Sequence, residues 1–210
     1  MPFEIKHVAE FAEQVRGVSY SKGDATSNPK LGHVPVLRAN NITDNGLVFE
    51  NLVYVPEKKV SAKQRLKAGD IVVAASSGSL DVVGKAAEFT NGFDGSFGAF
   101  CKVVRPSSEI HPPYLAHFFK TDKYRKTISA LAAGANINNL RNEHISSLEI
   151  PLPFKNGKPD LDEQKRIAAI LDKADAIRRK RRQALQLTDD FLRSLFLDMF
   201  GDPVTNPKGW

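Results

Sequence analysis

The alternation of apolar and polar positions changes character once along the chain, near residue 150. Before that point, short β-branched runs are separated by polar stretches. Val34-Pro35-Val36-Leu37-Arg38, Leu52-Val53-Tyr54-Val55, Asp70-Ile71-Val72-Val73-Ala74-Ala75 and Phe100-Cys101-Lys102-Val103-Val104 read as strands bounded by turn residues. Pro112 and Pro113 open a helix through Tyr114, Leu115, Phe118 and Phe119, and a second helix runs from about Asp122 to Ala132, ended by Gly134. This half predicts a mixed α/β globular domain whose polar loops are Ser19 to Lys30, Asn40 to Gly46, Ser76 to Asp81 and Asn91 to Gly98.

Beyond it, Ile150-Pro151-Leu152-Pro153 and a short turn lead into one helical pattern from Leu161 to Phe200. At about 1.5 Å per residue, such a helix is a rod of roughly 60 Å. Asp160 and Glu163 form a capping-box-like start, and Gly201 followed by Pro203 ends the pattern. Inside it, Ile167, Ile170, Ala174, Ile177, Arg181, Ala184, Thr188, Phe191 and Leu195 keep a 3-4-3-4 spacing, the seam of a coiled coil. Leu171, Leu185 and Leu192 flank that seam, while Arg181 and Thr188 interrupt it, as polar residues do where register and partner number are specified. The alternative, an amphipathic helix folded back on its own domain, does not suit a pattern this long. Arg178-Arg179-Lys180-Arg181-Arg182 point in all directions round the helix. They suit nucleic-acid phosphate, an acidic protein or a solvated collar, but not a base-reading face.

Composition narrows the partners. The 210 residues are 41% hydrophobic, enough for a core, and carry a net charge of +6. That balance permits an anionic partner without requiring one. The single Cys101 excludes an internal disulfide and fits a reducing compartment. The opening residues do not read as a secretory signal, and no apolar run approaches the roughly 20 residues needed to span a bilayer. A soluble, cytoplasmic protein is expected.

Catalytic patterns are missing from the sequence. His7, His33, His111, His117 and His144 are scattered without metal-ligand spacing, so neither a metal nor a cofactor is expected. The stretch from Gly78 to Ala86 imitates a phosphate loop, but five residues separate its glycines and Ala86 stands where Ser or Thr must meet Mg²⁺. Two strands joined by a Gly-rich turn explain it better. The chain reads as a non-catalytic binding protein.

Three segments carry a family resemblance: Ile150-Pro151-Leu152-Pro153, then Asp162-Glu163-Gln164-Lys165-Arg166-Ile167-Ala168-Ala169-Ile170-Leu171-Asp172-Lys173-Ala174-Asp175, then Ser194-Leu195-Phe196-Leu197-Asp198-Met199-Phe200-Gly201-Asp202-Pro203. Together they closely resemble the specificity subunit of type I restriction–modification systems. Val8-Ala9-Glu10-Phe11, the stretch from Val34 to Ile42, Leu66-Lys67-Ala68-Gly69-Asp70-Ile71-Val72-Val73 and the stretch from Gly134 to Leu140 resemble one of that family's target-recognition domains. The resemblance implies residues 1–153 as a DNA-recognition domain, 154–202 as a helical spacer and dimerisation region, and 203–210 as the start of a linker to a second recognition domain. It also implies antiparallel pairing of two such helices, methyltransferase subunits docked on them, and a restriction subunit joined through those.

The function expected from the resemblance is recognition of a bipartite double-stranded DNA site, by a homodimeric half-subunit or by half of a longer subunit. The alternative is a non-catalytic assembly protein or stand-alone DNA-binding regulator that dimerises through its C-terminal helix. Candidate DNA contacts are Ser21, Lys22, Asn28, Lys30, Arg38, Asn40, Asn41, Ser76, Ser77, Ser79, Asn136, Asn138, Asn139 and Arg141, each a type that also forms turns and caps. Candidate dimerisation residues are Ile167, Ile170, Leu171, Ala174, Ile177, Ala184, Leu185, Phe191, Leu192 and Leu195.

Overall fold

The computed structural model describes residues 2–79, 81–133, 139–202 and 204–206. Its strands in the first half are β1 (Phe3–His7), β2 (Ala12–Arg16), β3 (His33–Leu37), β4 (Ile42–Thr43), β5 (Gly46–Leu47), β6 (Val53–Pro56), β7 (Asp70–Ala74), β8 (Ala86–Phe89), β9 (Ser96–Phe97) and β10 (Cys101–Pro106). Helices α1 (Pro112–Phe118), α2 (Asp122–Ala133) and α3 (Asn142–Ser146) follow, then β11 (Glu149–Lys155), β12 (Lys158–Pro159) and α4 (Leu161–Phe200). All four sequence-predicted strands and the three predicted helices are present, α4 with the predicted bounds.

The central sheet has the order β2-β10-β7-β8, antiparallel throughout. Strand β7 is apolar at nearly every position because both faces of this sheet are covered. Ile71 and Val73 join a cluster with Tyr114, Leu115, Tyr124, Ile145, Ile150 and Leu152, while Val72 and Ala74 join Leu37, Phe97, Cys101 and Val103 on the other side. The exception is Asp70, which is buried. Arg105 grips it with two hydrogen bonds of 2.7 Å, from Nε to Oδ1 and from Nη2 to Oδ2, and the backbone N–H of Lys67 donates to Oδ2 at 2.8 Å. Asp70 in turn raises the Arg105 pKa. Strands β7 and β8 pair across the stretch that imitates a phosphate loop, whose chain returns as an ordinary antiparallel connection.

Pro151 and Pro153 sit opposite Ile5 and Phe3, while Ile150, Leu152 and Phe154 alternate with them into the core. The proline spacing therefore marks a strand, with Pro151 exposed and Pro153 buried. The capping box predicted for α4 forms only in part. Asp160 Oδ1 accepts the N–H groups of Asp162 and Glu163, both at 3.1 Å, but Glu163 turns forward to Arg166 and the Asp160 N–H donates to Pro153. Gln164, one turn on, is sealed from solvent. Its Oε1 accepts the His111 N–H at 2.8 Å and its Nε2 donates to the Glu109 carbonyl at 3.3 Å, fastening the start of α4 to the approach to α1. At the far end Gly201 adopts φ +79°, the left-handed cap expected there; Pro203 lies outside the described residues.

The chain divides into two compact units, Met1–Ala168 and Ala169–Trp210. The first two turns of α4 belong with the globular unit, where Ala168 is buried and Ile167 packs against the core cluster. In the second unit Ile170, Leu171, Ala174, Ile177, Ala184, Leu185, Phe191, Leu192 and Leu195 are all exposed. The basic cluster is exposed too, with Arg178 reaching Asp175 at 3.5 Å.

Candidate nucleic-acid interface

The turn from Gly98 to Cys101, between β9 and β10, joins several of the candidate loops. The Gly98 N–H donates to the Leu37 carbonyl at 2.8 Å, that of Ala99 to Val18 at 2.9 Å, and those of Ala75 and Ser76 to Phe100, both at 2.9 Å. Gly17 lies against it so closely that a Cβ there would stand 2.0 Å from the Gly98 carbonyl oxygen. Ser76 forms an antiparallel bridge with Asn139, and the Leu140 N–H donates to the Ala75 carbonyl at 2.6 Å. Chain segments far apart in sequence thereby bring Arg38, Ser76 and Asn139 round one turn.

Tyr20 and Phe100 complete that neighbourhood, and neither was among the sequence candidates. A ring carbon of Tyr20 lies where a Cβ on Gly98 would meet it at 3.5 Å. Burial raises the Tyr20 hydroxyl pKa, and the positive charge of Arg38 opposes that rise. Phe100 is 68% exposed, unusual for a large apolar side chain. Its place beside Gly98 was the available signal; its position at the head of a β-branched run hid it.

Arg38 is half-buried. One terminal nitrogen donates to the Asn51 carbonyl at 2.8 Å, and its Nε has no hydrogen-bond partner. Asn40 and Ser79 are exposed, and Ser77 Oγ accepts the Ser79 N–H at 3.2 Å. Asn41 requires a correction, because at 2% exposure it is structural. Its Oδ1 accepts the Arg38 N–H at 2.9 Å and its Nδ2 donates to the carbonyls of Val48 (2.9 Å) and Glu50 (2.8 Å). An amide with all those bonds made has no edge left for a base.

The loop from Ser19 to Lys30 forms a separate group. It is tied to β6 by reciprocal backbone bonds between Thr26 and Tyr54. Ser21 Oγ donates to Asp24 Oδ2 at 2.6 Å, and Lys59 reaches the same oxygen at 2.6 Å. Lys59 and Ser21 together hold the Asp24 carboxyl well below the usual carboxylate range. Ser21 is therefore a cap, while Lys22, Asn28 and Lys30 are exposed. Arg141 is exposed and pairs with Glu143 at 3.3 Å. Asn136 and Asn138 lie outside the described residues.

A mixed α/β domain bearing these candidate loops, with a long helix following it in sequence, can be set beside known proteins. The sequence pattern of the type I restriction modification DNA specificity domain matches residues 1–187. The chain belongs to that family. It is 44% identical over 158 residues to the type I restriction enzyme StySPI specificity subunit of Salmonella potsdam, covering 75% of this chain and 33% of that protein. To the EcoKI specificity subunit of Escherichia coli (strain K12) it is 43% identical over 168 residues, covering 80% of this chain and 35% of that one. The chain thus spans about a third of the length of the curated relatives it matches.

Solved structures share the specificity-domain fold at low identity. A chain from the work on complex assembly and conformational transition of the type I R-M system matches at TM-score 0.69 and 16% identity, over 93% of this chain and 44% of that one. The HsdS subunit from Thermoanaerobacter tengcongensis matches at TM-score 0.64 and 16% identity, over 88% of this chain and 40% of that one. The Thermoanaerobacter match takes in most of the mixed α/β chain whose last long element is α4. Among the described residues no helix is long and apolar enough to cross a membrane.

Proposed function

We propose that this specificity-family chain reads one half of a bipartite double-stranded DNA site and pairs through its long helix with a second such unit. That second unit is another copy of the chain or the other half of a longer subunit. The chain itself is non-catalytic. It directs methyltransferase subunits, and through them a restriction subunit, to the site, and acts in the cytoplasm. Arg38, Ser76, Ser77 and Asn139, with Tyr20 and Phe100 beside them, face base edges in the major groove, where the four base pairs are distinguishable. Lys22 and Lys30 fix register on phosphates, which carry charge but no sequence.

The observation that supports this reading best is the convergence of three separated polar segments on the Gly98–Cys101 turn, inside the region matched by the family. The exposed apolar seam of α4 supports the pairing. The test is selection of bound duplexes from a randomised library at moderate salt, followed by sequencing. A short enriched motif is expected. Two inverted copies at fixed spacing identify a homodimer, and a single copy identifies a unit whose pairing half lies elsewhere. DNA that is retained without enrichment, or not retained at all, counts against the reading.

A further inference from the structure

The register of the central sheet sets two cations directly opposite each other. Arg16 ends β2, Lys102 is the second residue of β10, and the two are antiparallel partners. Three positions along the same ladder Arg105 faces Glu13, with a 3.9 Å ion pair. Cross-strand charges of opposite sign stabilise a sheet, and like charges at facing positions destabilise it. The ladder is thus complementary at one end and self-repelling at the other.

Nothing acidic relieves that repulsion. Lys102 Nζ donates to Asn142 Oδ1 at 2.6 Å, a neutral acceptor, and among the described residues neither cation has a carboxylate partner. Asn142 is itself fixed, since its carbonyl accepts Gln14 Nε2 at 2.9 Å and the same nitrogen reaches Ser146 Oγ at 2.8 Å. The ammonium is therefore held in place with donors to spare. Lys102 is half-buried, and burial first and Arg16 second lower its pKa. A partly desolvated ammonium beside an exposed guanidinium favours an anion that both can reach.

Position names the anion. Lys102 stands two residues after Phe100 and Arg16 two before Val18, and both of those residues are stitched into the Gly98–Cys101 turn. Resting on the DNA-reading proposal above, we propose that Arg16 and Lys102 together clamp one backbone phosphate of the duplex beside the base-reading turn. The phosphate supplies the negative charge that the sheet leaves out.

The experiment compares the full chain with Arg16→Gln, Lys102→Met and the double variant. Each is titrated with its selected duplex and with a scrambled duplex of equal length across a salt series, and melted without DNA. Each single variant is expected to bind both duplexes about tenfold more weakly, with their ratio unchanged. The slope of log affinity against log salt should fall by about one. The double variant should add little, because one phosphate is lost only once. Melting temperatures should stay level or rise, since the repulsion is removed.

A fall in melting temperature that parallels the fall in affinity would make the pair structural and overturn the clamp. So would a changed ratio between duplexes, which would mean base reading. Unchanged affinity and slope, with the wild type still preferring its selected duplex, would overturn the clamp alone. A wild type that binds no duplex would overturn the DNA-reading proposal and the clamp with it.

Discussion

Ile71, Val72 and Val73 in the globular unit are 0% exposed, whereas Ile177, Phe191 and Leu192 in the unit beyond Ala168 are 68%, 65% and 55% exposed. Both units carry ordered apolar patterns, a continuous run in β7 of the first and a helical repeat near 3.6 in the second. In the first, the pattern is satisfied internally by two clusters on either face of one sheet. In the second, the same kind of residue stands open along one side of a helix, and an isolated helix gains most of its stability from what its apolar face touches. Under the pairing proposed above, the covered pattern serves folding and the uncovered one serves assembly.

The most severe way to break the covered unit is to leave its buried carboxylate alone. Arg105→Ala removes both 2.7 Å bonds to Asp70 and should destabilise the fold by about 3–5 kcal/mol, read from urea unfolding. The matching change in the uncovered unit is Phe191→Asp with Leu195→Asp. That pair should abolish self-association in sedimentation and lower the helical signal at 222 nm, while the tyrosine-monitored unfolding of the globular unit moves by less than about 0.5 kcal/mol.

Gly17→Ala sharpens the comparison at the candidate interface, because its Cβ would stand 2.0 Å from the Gly98 carbonyl oxygen. The turn must shift, which should cost about 1–3 kcal/mol in unfolding and reduce DNA selectivity. Arg38→Ala should leave the fold nearly intact and relax one position of the selected motif by about 1–3 kcal/mol, scored by competition among single-base variants. Identical losses on matched and mismatched duplexes would take Arg38 off the base-reading list.

The smallest effect is on pH. Burial pushes the Cys101 thiol up to about 12. Its folded pKa lies above that of a free thiol, near about 8.5, so the burial is harmless below that value and stability falls as pH rises through it. Between pH 7 and 10, wild type should lose more stability than Cys101→Ala, and alkylation of the native thiol should be slow. Equal losses in the two proteins would place the alkaline sensitivity elsewhere; Tyr114, whose hydroxyl burial also lifts to about 12, would add its own loss only above about pH 10.

Periodicity made α4 legible from Leu161 to Phe200 because a long amphipathic pattern outweighs local noise, and the β7 run was legible because double burial demands continuous apolar residues. Strands β1 and β2 were not, since Phe3 to His7 and Ala12 to Arg16 mix charges with short apolar residues and acquire their order from partners distant in sequence. The candidate site was half legible. Polar loop composition pointed to Arg38, Ser76 and Asn139, but the bonds that bring them together run through the Gly98 turn and depend on tertiary register. Composition also misled at Asn41, where an amide suited to reading a base instead closes three backbone bonds. For Phe100 the nearby Gly98 was a weak signal that could not decide the matter, and Tyr20 had none, because an aromatic residue beside a turn has the same sequence appearance whether covered or exposed.

The division between reading and pairing is tested most directly by the gain in affinity when a duplex carries two inverted copies of the selected motif in place of one. Fluorescence titration of wild type and of the Phe191→Asp, Leu195→Asp variant measures that gain. For wild type, the second copy should tighten binding by about a hundredfold or more at one preferred spacing. The variant should bind the single-copy duplex as wild type does and gain nothing from the second copy. Equal gains in both proteins, or a variant that loses the single-copy duplex as well, would contradict the division.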